Sequence, residues 1–292
     1  VTASPLLALS PHVLYTNVVE PILRWTFAAR GYTLVHGACL AWNGSAYLIT
    51  ALTDTGKTTT VLQLLANSQP GDPAAFISDD LTLLSPEGRA YTFPKPLTIS
   101  AHTLHAIDAG QLSWPLRLTL PWQSLIHARG GRRTAHRMAH LPLPVATINA
   151  VTQLLVPPPK YAVQTLVPGV KFADSAQLAG IFFIERGADA DLRLADDEAL
   201  ERLMDNGEDA YGFPPYNAIA PSLYQTPEGD LHAREREIVA GALRGVPKRL
   251  VRREQGNWWR PILAGLSANR EPPLSEPGVR EWSEPQTASP SA

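Results

Sequence analysis

Apolar positions along the chain switch between a helical and a strand-like rhythm. Residues 12–30, HVLYTNVVEPILRWTFAAR, carry helical spacing, with a start or kink set by Pro21. Two apolar runs follow, YTLVHGACLAW and AYLIT, parted by NGS; Asn43-Gly44 between such runs predicts a hairpin. Helical spacing returns in KTTTVLQLLAN. After the polar SQPGDP comes AAFIS, a predicted buried strand that ends at Asp79-Asp80. Strand, loop, helix, strand in that order predicts a parallel crossover with its helix on one face.

Downstream, LTLLS-PEGR-AYTFP reads as a second hairpin running into PKPLTIS. INAVTQLLVP (148–157) and AGIFFIERG (179–187) read as strands, and DDEALERLMDN and EREIVAGALRG as helices. Residues 101–145 are mixed in pattern. From residue 268 onward the chain is rich in Pro, Ser and Glu and is expected to be disordered. The expected organisation is an N-terminal helical segment (1–30), one main domain (31–267) and a tail (268–292). No internal repeat is visible.

Composition narrows the function classes without choosing one. The chain has 292 residues, 45% hydrophobic and 18% charged, as suits a globular core. A formal net charge of -2 gives no reason to expect nucleic acid as a partner. The single cysteine, Cys39, rules out an internal disulfide and favours a reducing compartment. No apolar run reaches the roughly 18 residues of a membrane helix. The opening VTASPLLALSPH lacks the basic region of a signal peptide, so the cytoplasm is the expected location. Because the chain begins with Val, further N-terminal sequence is expected before it.

Chemistry enters at ITALTDTGKTTT, residues 49–60. The stretch approaches the phosphate-binding pattern G-x-x-x-x-G-K-[ST], with Ala51 in place of the first Gly. Such a loop needs a strand ending before it and a helix starting at its Lys, so that backbone N–H groups face phosphate oxygens. The flanks SAYLIT and TTTVLQLL meet that need. The candidate nucleotide-binding residues are Ala51, Leu52, Thr53, Asp54, Thr55, Gly56, Lys57, Thr58 and Thr59. Lys57 would reach the β- and γ-phosphates and the Thr58 hydroxyl would ligate Mg²⁺. Asp54 is the discordant member. A carboxylate beside triphosphate oxygens repels them unless it points outward, although Asp tolerates turn geometry better than most residues. The plainer alternative is a strand-turn-helix with a surface lysine.

Two further features lie near this loop in sequence. Ser78-Asp79-Asp80 ends the next apolar strand, where phosphoryl transfer uses one acidic group for the metal and benefits from another as base. Taken alone, it is equally a solvated acidic turn. His36-Gly37 lies on the strand predicted to pair with the loop strand; a strand histidine by itself is more often structural.

Together, VHGACLAWNGSAYLITALTDTGKTTTVLQLL and FISDDLTLL resemble the C-terminal catalytic domain of HPr kinase/phosphorylase. LTDTGKTT also resembles the phosphate loop of phosphoenolpyruvate carboxykinase, which shares that fold, and FPKPLTIS resembles a segment of related kinases. The resemblance covers residues 32–100. It implies an α/β, mixed-sheet P-loop fold, ATP or another nucleoside triphosphate with Mg²⁺, and a homo-oligomer. By position, Lys57 and Thr58 match the phosphate and Mg²⁺ sites, and Asp79 matches the base toward the acceptor hydroxyl. Asp80 matches the metal-side acid and His36 a catalytic-site histidine. Asp54 departs from the family by replacing a loop Gly. A later LEIRGLGI-type signature is missing, so HPr itself is not the expected acceptor, and ligands for carboxykinase chemistry are not evident.

The expectation is therefore an HPr-kinase-like phosphotransferase. Its acceptor would be a protein or peptide Ser/Thr, or a small-molecule alcohol. The alternatives are a non-catalytic nucleotide-binding module and a plain nucleoside triphosphatase. HARGGRRTAHRMAH offers Arg129, Arg132 and Arg133 as lid arginines, with a solvated basic loop as the equal alternative. His136 and His140 lack a third metal ligand. PKRLVRREQGNWWRPIL, with Trp258 and Trp259, reads as a docking segment packed on the body rather than a surface for membrane, nucleic acid or a protein partner. YGFPPYNAIAP reads as a packed loop.

Overall fold

A computed structural model describes residues 14–68, 74–95, 97–98, 103–104, 160–211, 220, 222–227, 229–268 and 279–280. The strand expected over 148–157, and Arg129, Arg132, Arg133, His136 and His140, lie outside them.

Helix α1 (Glu20–Ala29) continues from a π-helical turn at Tyr15–Val19, and Pro21, which has no N–H to donate, lies in its first turn. Its buried face, Glu20, Pro21, Arg24, Trp25 and Ala28, follows helical spacing. Strands β1 (Thr33–Trp42) and β2 (Ser45–Thr50) form the expected hairpin, with Asn43 and Gly44 both at positive φ. Helix α2 (Lys57–Ala66) leads to β3 (Ala74–Ser78). Both β2 and β3 run antiparallel to β1, one along each of its edges. They are thus parallel to each other with β1 between them, and α2 is the crossover.

Strands β4 (Leu81–Leu84) and β5 (Arg89–Tyr91) form the second expected hairpin. The two-residue strands β6 (Leu97–Thr98) and β7 (Lys160–Tyr161) pair with each other. After α3 (Val163–Leu166) come β8 (Lys171–Ala173), β9 (Ser175–Arg186), β10 (Ala190–Arg193) and α4 (Asp196–Tyr211). A small hairpin, β11 (Gln225–Thr226) and β12 (Gly229–Asp230), precedes α5 (Leu231–Leu243). Asp230 caps α5 by accepting from the amides of His232 and Ala233. The chain continues through β13 (Lys248–Arg253) and α6 (Trp259–Ala268).

The main sheet is mixed, and the protein is α/β. Its centre is a closed circuit. β1 pairs β2, β2 pairs β9, β9 pairs β5, β5 pairs β4, and β4 returns to β1. β3 and β8 extend the sheet beyond β1, and β13 and β10 extend it beyond β9. Alternate side chains of β1 enter two cores. Ala38, Leu40 and Trp42 join a core with Leu62 and Leu65 of α2 and Ile262 and Leu266 of α6. Cys39 and Ala41 join one with Leu203 of α4 and Val239 and Leu243 of α5. Val279 and Arg280 form strand β14 against β8, on its edge away from β3. Among the described residues, no helix is long and apolar enough to cross a membrane.

Candidate functional site

The site forms where one long strand is interrupted. Cys39 pairs Ser78 and His36 pairs Leu81, so after a register shift between Cys39 and Leu40 the chain keeps one register along the same edge of β1 from Ser78 into β4. Between them, Asp79 and Asp80 leave regular geometry. The Leu81 amide donates to the Asp79 carbonyl, and Asp80 has φ 64. Asp is among the few non-glycine residues that adopt such a φ readily. The Asp80 carbonyl still accepts from the Gly37 amide, which keeps the kink on the sheet. Gly37 is required here: a Cβ on it would come 2.8 Å from Leu48 Cδ1 and 3.1 Å from the Ile49 carbonyl.

Opposite this kink, β2 delivers the loop 51–56 and α2 starts at Lys57. Gly56 caps α2 with φ 135, and a Cβ there would sit 3.0 Å from the Trp258 ring. Trp258 is fixed from behind by its indole N–H, which donates to the Glu185 carbonyl across 2.8 Å. Asp54 is exposed and holds a left-handed backbone with φ 61. Leu52 is also exposed, whereas Ala51 is buried. The Thr55 amide donates to the Leu52 carbonyl, and the Thr59 hydroxyl bonds that of Thr103 at 2.9 Å.

The charged groups then meet. The Thr58 hydroxyl donates to Asp79 Oδ1 across 2.8 Å. The buried Lys57 ammonium donates to the carbonyls of Ala51 (3.0 Å) and Leu52 (3.3 Å). His36 Nδ1 lies 3.0 Å from the Asn206 carbonyl, which can only accept, so Nδ1 carries a hydrogen. His36 Nε2 lies 3.3 Å from Asp80 Oδ1. The sequence thus brings Lys57, Thr58, Asp79, Asp80 and His36 into one cluster. It divides the acids differently from the expectation: the partner of Thr58 is Asp79, and Asp80 faces His36.

Four members had no signature of their own. Lys95, from FPKP, places Nζ 2.5 Å from Asp80 Oδ2 and 2.7 Å from Glu20 Oε1. Glu20 comes from α1, outside the expected main domain. From α4, Asn206 donates to the Thr50 hydroxyl, which in turn donates to the His36 carbonyl. Also from α4, Asp209 accepts from the Thr53 amide at 2.7 Å. Lys95 belongs to FPKPLTIS, but its partners are visible only in three dimensions.

The electrostatics follow these contacts. Burial, then the neighbouring Asp80 charge, raises the Asp79 pKa to about 6, against the Thr58 bond, which lowers it. For Asp80, burial acts upward, but Lys95 and then His36 outweigh it and hold the carboxyl well below the ordinary aspartate range. Burial lowers Lys57, opposed by the surrounding carboxylates of Asp80 and Asp79. For Lys95 burial acts downward and is outweighed by Asp80 and Glu20, which raise it.

Thr58 Oγ1 and Asp79 Oδ1 are hard oxygen donors, and their 2.8 Å separation suits Mg²⁺. Two adjacent ligands about 2.1 Å from an octahedral ion stand roughly 3 Å apart. Among the described residues no group of three or more His, Cys, Asp or Glu could hold a metal. Mg²⁺ commonly takes only one or two protein oxygens and completes its shell with phosphate and water. The basic stretch around Trp258 is taken up internally: Lys248 pairs with Asp196, Arg249 with Asp191, Arg252 with Glu185 and Arg253 with Asp189. No protein-family model matches the chain, and a search of curated proteins finds no match.

Proposed function

We propose that this protein is a P-loop phosphotransferase of the HPr-kinase-like type, moving the γ-phosphoryl group of ATP or another nucleoside triphosphate to an alcohol. The observation that carries this reading is the 2.8 Å bond between Thr58, at the start of α2, and Asp79, at the break after β3. It joins a candidate phosphate loop to the acidic pair that such chemistry needs.

In this reading the loop amides and Lys57 meet the phosphates, with Lys57 released from the Ala51 and Leu52 carbonyls. Thr58 and Asp79 would hold Mg²⁺, which when bound would neutralise charge developing on the phosphates. Asp80 faces the acceptor. Its side chain is 44% exposed, while Asp79 is 4% exposed and turned to Thr58. Reach decides before basicity, so Asp80 is assigned the acceptor proton despite its low pKa. The acceptor oxygen bonds to the γ-phosphorus, and the bond from that phosphorus to the bridging oxygen breaks. Its electron pair leaves with the nucleoside diphosphate, and the hydroxyl proton passes to Asp80. His36 orients Asp80 and is itself held by Asn206.

A second reading, nucleotide binding without turnover, is favoured by one observation: the Thr53 amide is already bonded to the Asp209 carboxylate. Asp80→Asn separates the two. A kinase loses turnover and keeps nucleotide affinity, whereas a binding module shows no turnover in either form.

A further inference from the structure

Asp80 is gripped at both oxygens. Oδ2 meets Lys95 Nζ at 2.5 Å, and Oδ1 meets His36 Nε2 at 3.3 Å, a contact that holds the carboxylate when both ring nitrogens carry hydrogen, because Nδ1 already donates to Asn206. A carboxylate has a broad, roughly two-fold torsion about its last bond, so one partner leaves it free to swing. Two partners on different oxygens fix its plane. His36 is rigid because Asn206 holds its other nitrogen. Lys95 has a flexible four-carbon stem and needs a brace of its own. Glu20 supplies it at 2.7 Å, from a helix whose position is set by the buried pair of Arg24 with Glu235. The Lys95 side chain is only 12% exposed, which leaves it few other places to go.

We propose that Lys95 is a positioning residue for the transfer described above, aiming Asp80 at the acceptor hydroxyl and relying on Glu20 of α1 to stay in place. This rests on the phosphotransferase reading. Lys95 touches neither nucleotide phosphate nor acceptor in this role; it acts through the direction of the Asp80 carboxylate. The first helix thereby becomes part of the site and not an appendage to it. Its effect belongs to the transfer step, since misplacing a reacting group by about 1 Å can cost on the order of a hundredfold in rate.

The test uses the full chain with Lys95→Met, Lys95→Arg and Glu20→Gln. Each is titrated with Mg²⁺-ATP, phosphate release to water is measured, and the Lys95→Met variant is crystallised. Lys95→Met is expected to lower phosphate release about tenfold or more while ATP affinity stays within about twofold. Lys95→Arg, which keeps the charge, is expected to recover most of that rate, and Glu20→Gln to lose less than Lys95→Met. In the crystal, the Asp80 carboxylate is expected to have left His36. A carboxylate still on His36 overturns the proposal, whatever the rates. So does an unchanged rate, or a parallel loss of affinity that Lys95→Arg fails to restore. A wild-type protein that binds no ATP overturns the phosphotransferase reading itself and this inference with it.

Discussion

The hydroxyl of Thr58 donates to the carboxylate of Asp79 across 2.8 Å. Twenty-one positions apart in sequence, Thr58 lies in the first turn of α2 and Asp79 just after β3, and the sheet brings them together because β1 lies between β2 and β3. Thr58→Val keeps the branched shape and removes the oxygen. Mg²⁺-dependent nucleotide affinity is expected to fall by about tenfold, as for lost metal-site partners elsewhere. Affinity in the presence of a chelator should hold within about twofold. Calorimetric titration with and without Mg²⁺ checks both; equal losses in the two conditions would remove Thr58 from the metal edge.

Asp79 links the site to stability. Its folded pKa, about 6, lies above the ordinary value of 3.8. Between those values the folded state keeps a proton that the unfolded state has lost, so this group makes stability fall as pH rises. The penalty is complete above the folded pKa and amounts to about 3 kcal/mol at most. Asp79→Asn does not titrate. Without Mg²⁺, its stability relative to wild type is expected to improve from pH 4 to pH 7 and then level. Urea unfolding at several pH values measures this, and a difference constant with pH would contradict it.

Asp54 combines a left-handed φ of 61 with a negative charge in a loop assigned to phosphate. Glycine adopts that backbone without strain. Removing one like charge near 4 Å in water is worth about 1 kcal/mol. Asp54→Gly is therefore expected to tighten nucleotide binding about fivefold, more at low salt than at high salt. Weaker binding would instead give Asp54 a contact that the nucleotide uses.

Much of this was legible in the sequence. Asn43-Gly44 announced the hairpin, and the switch from AYLIT to helical spacing at Lys57 announced the strand-loop-helix. Asp79-Asp80 at the end of an apolar run marked the other wall. Which of those acids meets Thr58 and which meets His36 was not legible. It depends on a φ of 64 at Asp80 and on a kink opposite Gly37, which no local pattern encodes. Lys95, Glu20, Asn206 and Asp209 were invisible for a related reason: each is an ordinary polar residue until long-range packing delivers it. Glu20 lies in the first helix and Asp209 in the last turn of α4. Ala51, by contrast, read as a small stand-in for Gly, and it is buried with its carbonyl bonded to Lys57.

Gly56 has two constraints, φ 135 and the Trp258 ring 3.0 Å from where a Cβ would stand. Gly56→Ala is expected to destabilise the fold by about 1–3 kcal/mol through backbone strain and overpacking. It should also abolish nucleotide affinity by moving the loop. Thermal unfolding and the same titration check the two effects. A variant of normal stability and affinity would show that the loop does not depend on Trp258.

In the proposed function, loop 51–58 binds nucleotide through Lys57 and the start of α2. Titration of Mg²⁺-ATP into wild type and Lys57→Ala, both shown to be folded, tests it most directly. Saturable binding by wild type, weakened at least about tenfold by the substitution, is the expected result; an ammonium lost from phosphate corresponds to at least about 1.4 kcal/mol. No binding by wild type, or equal binding by the two proteins, would contradict it.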